Sequence, residues 1–273
     1  MQTLKDWLCQ LGGALVFYTI LPLPQHWPLE FSRIARWAPW IGGLIGVFLT
    51  LTNHLLQQWS ASDLLRGVLV TALWILITGG LHLDGVMDTA DGLAVLDPER
   101  RLSVMSDSRT GAFGAIAAIV LVLLKVAAIS DLSPNAPLWV IPIWGRWAQW
   151  YAIARYPYLK PDGKGAFHRR SLKLPQDLGP SLVLFLGILG LYWHRQPSSI
   201  SGLKSGLTSG LASGLTPGLV SGLLQTGISL GIAWGVGAWF NQRFHGMTGD
   251  LYGAITEWTE ALILCSFSLG VNF

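Results

Sequence analysis

Apolar residues run along this chain in long blocks, not in alternation. Blocks at roughly 38–56, 64–81, 112–130, 138–154, 178–193, 222–240 and 252–273 approach or exceed the length needed to cross about 30 Å of hydrocarbon as helices. The two-residue alternation of a lipid-facing strand is absent. The pattern therefore predicts an all-α fold, a polytopic transmembrane helical bundle of about seven spans. An additional apolar stretch in "MQTLKDWLCQLGGALVFYTILPLP" is broken early by Pro22 and Pro24, which predicts an interfacial or re-entrant N-terminal helix ahead of the spans. Its flank is acidic and it has no small-residue cleavage pattern, so a removed signal is not expected.

Composition agrees with a membrane location. Of 273 residues, 51% are hydrophobic and 12% charged, about half the charge usual in soluble domains. One integral membrane domain over 1–273 accounts for the chain, and no large soluble domain fits beside it. The net charge of +3 is too small to argue for nucleic acid. Cys9 and Cys265 show no metal-ligand spacing. When the spans are threaded alternately, Arg33 and Arg36, then Arg100, Arg101 and Arg109, then the basic loop 155–173, and finally Arg243 all fall on one side. By the positive-inside rule that side is cytoplasmic. A low-complexity Ser-Gly-Leu insertion at about 197–223 falls on the other side. It reads as a flexible linker in preference to a helix packed through small residues, because Gly at every fourth position opposes helix formation.

Against this background "GGLHLDGVMDTADGL", residues 79–93, is unusual. Asp84, Asp88 and Asp91 are spaced by four and three, so on a helix they share one face. Three carboxylates on one stripe repel, and a hard divalent cation such as Mg²⁺ with all-oxygen ligation would compensate them. Gly85 and Gly92 lie on an adjacent face, where a substrate or another helix could come close. His82 points away from the stripe on a regular helix; a general base, a substrate contact and a structural hydrogen bonder all remain open for it. Asp107 and Arg109 follow in "MSDSRTGAFG", with Arg100 and Arg101 just upstream. Carboxylates, a divalent ion and arginines are the parts needed to hold a phosphate or diphosphate. Further candidates for substrate binding are Lys164 in "YPYLKPDGKGAFHRR", Asp250 and Glu257, which share a helix face near the C-terminus, and Arg146 inside a predicted span. Lys125 is expected to reach an interface or to pair with one of these acids.

Taken together, "GGLHLDGVMDTADGL", "MSDSRTGAFG", "ARYPYLKPDGKGAF" and "GMTGDLYGAITE", with "LPLP" after the first apolar stretch, resemble the cobalamin synthase family of adenosylcobinamide-GDP ribazoletransferases. The motifs appear in the family's order over nearly the whole chain; the Ser-Gly-Leu repeat is foreign to it. A weaker likeness to CDP-alcohol phosphotransferases stops at Asp88 to Gly92, since Val95 and Leu96 stand where Ala-Arg should follow.

The resemblance implies that adenosylcobinamide-GDP is joined to alpha-ribazole or its 5'-phosphate with release of GMP. It implies Mg²⁺ on Asp84, Asp88 and Asp91, one of these or His82 as the base, and Arg109 and Lys164 on phosphates. It also implies a multi-pass protein of the cell inner membrane whose site faces the cytoplasm, working with its two substrates, the bilayer, and further copies of itself or other enzymes of the assembly. The alternative from another class is an ion-coupled transporter using the acidic cluster. Against that alternative, the acids sit at a helix end beside arginines, and no inverted repeat is visible.

Overall fold

The computed structural model describes residues 4–133, 136–160, 163, 165–194 and 217–269, and these are helical with no strand among them. In chain order the helices are α1 (Leu4–Tyr18), α2 (Ala38–Gln58), α3 (Asp63–Ile77), α4 (Leu81–Ala94), α5 (Pro98–Val104) and α6 (Ala112–Asp131). They are followed by α7 (Ile141–Arg155), the short α8 (Ala166–Ser171), α9 (Gly179–His194), α10 (Pro217–Phe244) and α11 (Gly249–Ser268). Most of the Ser-Gly-Leu repeat, including 197–216, lies outside the described residues. From Pro217 the chain is helical, so the last of the repeat belongs to α10 and not to a linker.

Among the described residues, three helical segments are long and apolar enough to cross a membrane: Ile34–Gln58, Ala112–Asp131 and Gly222–Phe244. A fourth candidate is the pair α3 and α4, which passes the same test jointly but is bent by 91°. Of the expected seven spans, three or four thus meet the test of length and composition among the described residues. The physical reasons are local. At 15 residues, α7 reaches only about 22 Å and carries Arg146 inside. α11 is long enough, but it holds Asp250, Glu257 and Glu260. The apolar part of α9, within Gln176–Leu191, is shorter than a full span. α1, also 15 residues, ends before Pro22.

The helices form one bundle with two contiguous buried clusters, one around Ile45, Trp74 and Trp144, the other around Ala148, Phe240 and Leu251. Gly42 and Gly46 of α2 lie directly against the backbone at Pro142 and Trp139, where any side chain would collide. A knot of charge ties the first segment to the ninth helix: Asp177, fully buried, accepts from Arg33 and from the Lys173 amide at 2.7 Å, with Arg36 at 3.5 Å.

Inside the bundle, Lys125 of α6 donates to Glu257 at 2.6 Å and Glu260 at 2.8 Å on α11, and its ammonium lies 4.0 Å from the centroid of the Trp74 ring. Arg146 of α7 donates to the His82 ring and lies over Tyr18. Two basic and two acidic side chains therefore balance within the apolar interior, the arrangement that makes buried charge tolerable there.

Candidate active site at the crossing of α4 and α11

α4 begins at a sharp corner. Gly79 and Gly80 take φ of 62° and 71°, a left-handed conformation that glycine adopts without a Cβ clash. Their amides donate to Leu76 and Ile75 at the end of α3, and the Gly80 carbonyl then accepts from the Asp84 amide at 2.9 Å to open α4. The corner swings the helix by 91° and sets Asp84, Asp88 and Asp91 along one side of it.

Gly85 faces α11. A Cβ there would stand 2.5 Å from the Asp250 carbonyl oxygen, and one on Gly253 would stand 3.1 Å from the His82 Cα. The two glycines let the helices cross backbone to backbone. The space beside the carboxylates is therefore occupied by a helix, and it carries a fourth carboxylate to the stripe. Asp250 sits in the first turn of α11, just after Thr248, whose hydroxyl accepts from the Leu251 amide at 3.2 Å and caps the helix.

Lys160 completes the constellation. The loop after α7 is stitched to the turn before α11 by a parallel bridge between Tyr158 and Met247, with the Leu159 amide donating to Met247 and the Met247 amide to Pro157, each at 2.8 Å. This holds the Lys160 ammonium 3.7 Å from Asp250, where it donates to the Ser106 hydroxyl at 2.8 Å. Asp88, half-buried, feels the charges of Asp84, Asp250 and Asp91 and, opposing them, that of Lys160. Burial raises the Asp250 carboxyl above the usual carboxylate range, with Lys160 and the Thr248 hydroxyl pulling the other way. Burial likewise raises the Tyr158 phenol, which accepts from the Gly165 amide at 3.1 Å.

Asp91 has a second task. Its two oxygens accept from the amides of Gly111 at 2.7 Å and Gly114 at 2.8 Å, at the start of α6. A carboxylate satisfies the otherwise orphaned amides of a helix N-terminus and complements its dipole. Both glycines are required, because a Cβ at either would overlap the carboxylate.

Other expected residues lie elsewhere. Arg109 is 87% exposed and paired with Asp107 at 2.7 Å; the guanidinium and the Arg109 amide hold the Asp107 carboxyl down to about 2. His82, Arg146 and Glu257 belong to the buried network and do not open on the stripe. His82 is thus a hydrogen bonder to Arg146, one of the roles its position left open. Lys164 lies outside the described residues. Its neighbours in the basic loop are committed: Arg169 donates to the Ile153 and Ala154 carbonyls at the end of α7, and His168 is buried among Phe17, Tyr18 and Phe167.

Among the described residues no three His, Cys, Asp or Glu side chains are grouped closely enough to hold a metal ion by themselves. A magnesium ion of the open kind would ask for only one or two of these carboxylates and take its remaining oxygens from phosphate and water.

Comparison with known proteins adds an independent line. A family model described as cobalamin-5-phosphate synthase matches residues 10–268. Curated relatives named adenosylcobinamide-GDP ribazoletransferase include one from Synechococcus elongatus, 47% identical over 266 residues and covering 96% of each chain. Another, from Trichormus variabilis, is 45% identical over 270 residues, covering 96% of this chain and 97% of its own. No solved structure matches the chain.

Proposed function

This chain belongs to the cobalamin-5-phosphate synthase family, and from that premise we propose that it joins adenosylcobinamide-GDP to alpha-ribazole, or to its 5'-phosphate, and releases GMP. The observation that carries the reading is family membership across residues 10–268, and the geometry at the α4 and α11 crossing suits the chemistry. Nothing favours the transporter alternative.

A ribose hydroxyl attacks the phosphorus on the cobinamide side of the diphosphate. The new bond is oxygen to phosphorus, the anhydride bond breaks, and GMP leaves with the bridging oxygen. Asp84 and Asp88 would hold Mg²⁺, which when bound supplies charge neutralisation for the phosphate oxygens. Asp250, with its carboxyl raised by burial, is suited to receive the hydroxyl proton. Lys160 binds and orients the diphosphate, and Arg109, free to leave Asp107 at an exposed surface, closes over the departing GMP. Asp91 holds the start of α6 in register with the stripe.

The membrane arrangement proposed with this function has seven crossings with α1 lying in the interface, in the cell inner membrane, and the carboxylates face the cytoplasm, where the basic loops collect. The charged α11 and the short α7 would cross inside the bundle, shielded by α2, α6 and α10.

The test uses the full chain in lipid nanodiscs with adenosylcobinamide-GDP and alpha-ribazole 5'-phosphate, following GMP release and the corrinoid product by mass, with Mg²⁺ and then with chelator. Metal-dependent coupling that Asp88→Asn abolishes, in protein of unchanged melting temperature, is expected. Absence of product from folded wild-type protein would overturn the function. Full activity of the Asp88→Asn variant would overturn the site.

A further inference from the structure

The face of α4 opposite the carboxylates is also used. A cavity of about 510 Å³ lies among α4, α6, α10 and α11, within the size range of small-molecule sites. Val86, Thr89, Ala90 and Leu93 line it from α4; at 100° per residue they centre roughly 180° from the stripe of Asp84, Asp88 and Asp91. A nucleotide seated there would have the whole thickness of α4, roughly 10 Å with its side chains, between itself and the reacting carboxylates. The cavity therefore does not present a substrate phosphate to the carboxylate stripe.

Its walls indicate another occupant. α6 and α10 are membrane-spanning candidates, and only 33% and 28% of their apolar windows are buried within the protein, so the cavity lies between two helices that meet lipid. The lining is almost wholly apolar, and the Thr89 hydroxyl, buried there, has no hydrogen-bond partner among the described residues. Water would find too few partners to fill such a space.

One end is charged. Trp239 and Phe240 line the cavity, and one turn further along α10 the Arg243 guanidinium lies 5.5 Å from the Trp239 ring centroid. Beside it, Arg101 donates to the Val95 carbonyl at 3.2 Å and the Arg243 carbonyl at 2.8 Å, and its guanidinium lies 5.9 Å from the Phe244 ring centroid. Neither guanidinium forms an ion pair among the described residues. An apolar slot with two cations one turn beyond its Trp239 and Phe240 wall, both carried on or against a membrane helix, complements an acyl chain joined to a phosphate.

We propose that this cavity holds an acyl chain of an anionic membrane phospholipid whose phosphate is bound between Arg101 and Arg243, wedging the back of the helix that carries the acidic stripe.

The experiment is native mass spectrometry on the full chain, exhaustively washed in detergent and then titrated with phosphatidylglycerol or phosphatidylcholine. A single phosphatidylglycerol adduct is expected, favoured over phosphatidylcholine by roughly tenfold or more, given two arginines at the headgroup. A Cβ on Gly235 meets nothing within 4 Å, so Gly235→Leu fills the cavity without a backbone clash and removes the adduct. Ala117→Leu, from the opposite wall, does the same and guards against a single misfolded variant. Arg101→Gln with Arg243→Gln abolishes the preference while a weak adduct remains. Equal binding of the two lipids, or an adduct untouched by both cavity-filling variants, overturns the proposal. Displacement of the lipid by alpha-ribazole 5'-phosphate overturns it too, by assigning the cavity to substrate.

Discussion

Replacing Gly85 with alanine adds one methyl group at the point where α4 and α11 touch. That carbon would stand 2.5 Å from the Asp250 carbonyl oxygen and 3.2 Å from its carbonyl carbon and Cα. A comfortable carbon to oxygen approach is about 3.3 Å, so the first turn of α11 must retreat by about 0.8 Å. The obstacle is backbone, with no flexible side chain to swing aside. Overpacking of this kind destabilises by about 1–3 kcal/mol, and the better helix propensity of alanine returns about 1 kcal/mol, leaving a net loss of about 0–2 kcal/mol.

Activity should suffer more. Asp250 and the attached Lys160 move with the turn, and a displacement of about 1 Å in a catalytic constellation lowers turnover by about 10²-fold. The assay pairs melting in detergent with GMP release under saturating substrates. Gly43→Ala on α2 is the control, because its new carbon would meet only the Ile143 side chain at 3.6 Å and should leave both readouts near wild type. Wild-type turnover by the Gly85→Ala variant would refute the reasoning, since it would mean that bare backbone contact does not set the position of Asp250.

Other perturbations separate the roles of neighbouring groups. Asp91→Ala strands the amides of Gly111 and Gly114 and should lower stability by about 1–3 kcal/mol in denaturant titration, with Asp91→Asn intermediate; equal stability of all three proteins would show that the cap is dispensable. Lys125→Met leaves Glu257 and Glu260 buried without their cation and should cost about 3–5 kcal/mol, read as a lost or strongly lowered melting transition, while Glu257→Gln in the same background should recover part of it. Burial lowers His168 to about 3 against about 6.5 when unfolded, so its contribution to stability is fully present above pH 6.5 and lost as pH falls toward 3. By pH 5 the loss is about 2 kcal/mol, and His168→Phe should remove that part of the pH dependence; an unchanged slope in the variant would refute it.

The carboxylate stripe was legible because it is local: spacings of four and three fix a shared helical face without reference to the rest of the chain. The shared face of Asp250 and Glu257 was legible for the same reason. Their separation in depth was not, since Asp250 meets Lys160 at the mouth while Glu257 meets Lys125 inside, and nothing within α11 distinguishes the two ends. Lys160 was visible only as one cation in a basic loop. Its selection depends on Tyr158 pairing with Met247, a contact between segments almost 90 residues apart. The glycines at 111 and 114 gave no sign of what they admit, because that group, Asp91, comes from 20 residues upstream. The number of spans was less legible, because an apolar block can be buried by protein as well as by lipid, and α7 and α11 carry polar groups that fail a test of length and composition alone.

The buried quartet also sets an order of events during synthesis. Lys125 emerges 132 residues before Glu257, a delay of roughly 7–26 s at typical elongation rates. Through that interval α6 holds a lone ammonium among apolar neighbours, with its counter-charges still unmade. The first helices therefore cannot settle into their final packing as they leave the ribosome. A nascent chain stopped before α11 should remain accessible to membrane proteases and quality control, and α11 acts as the clasp whose arrival closes the buried network.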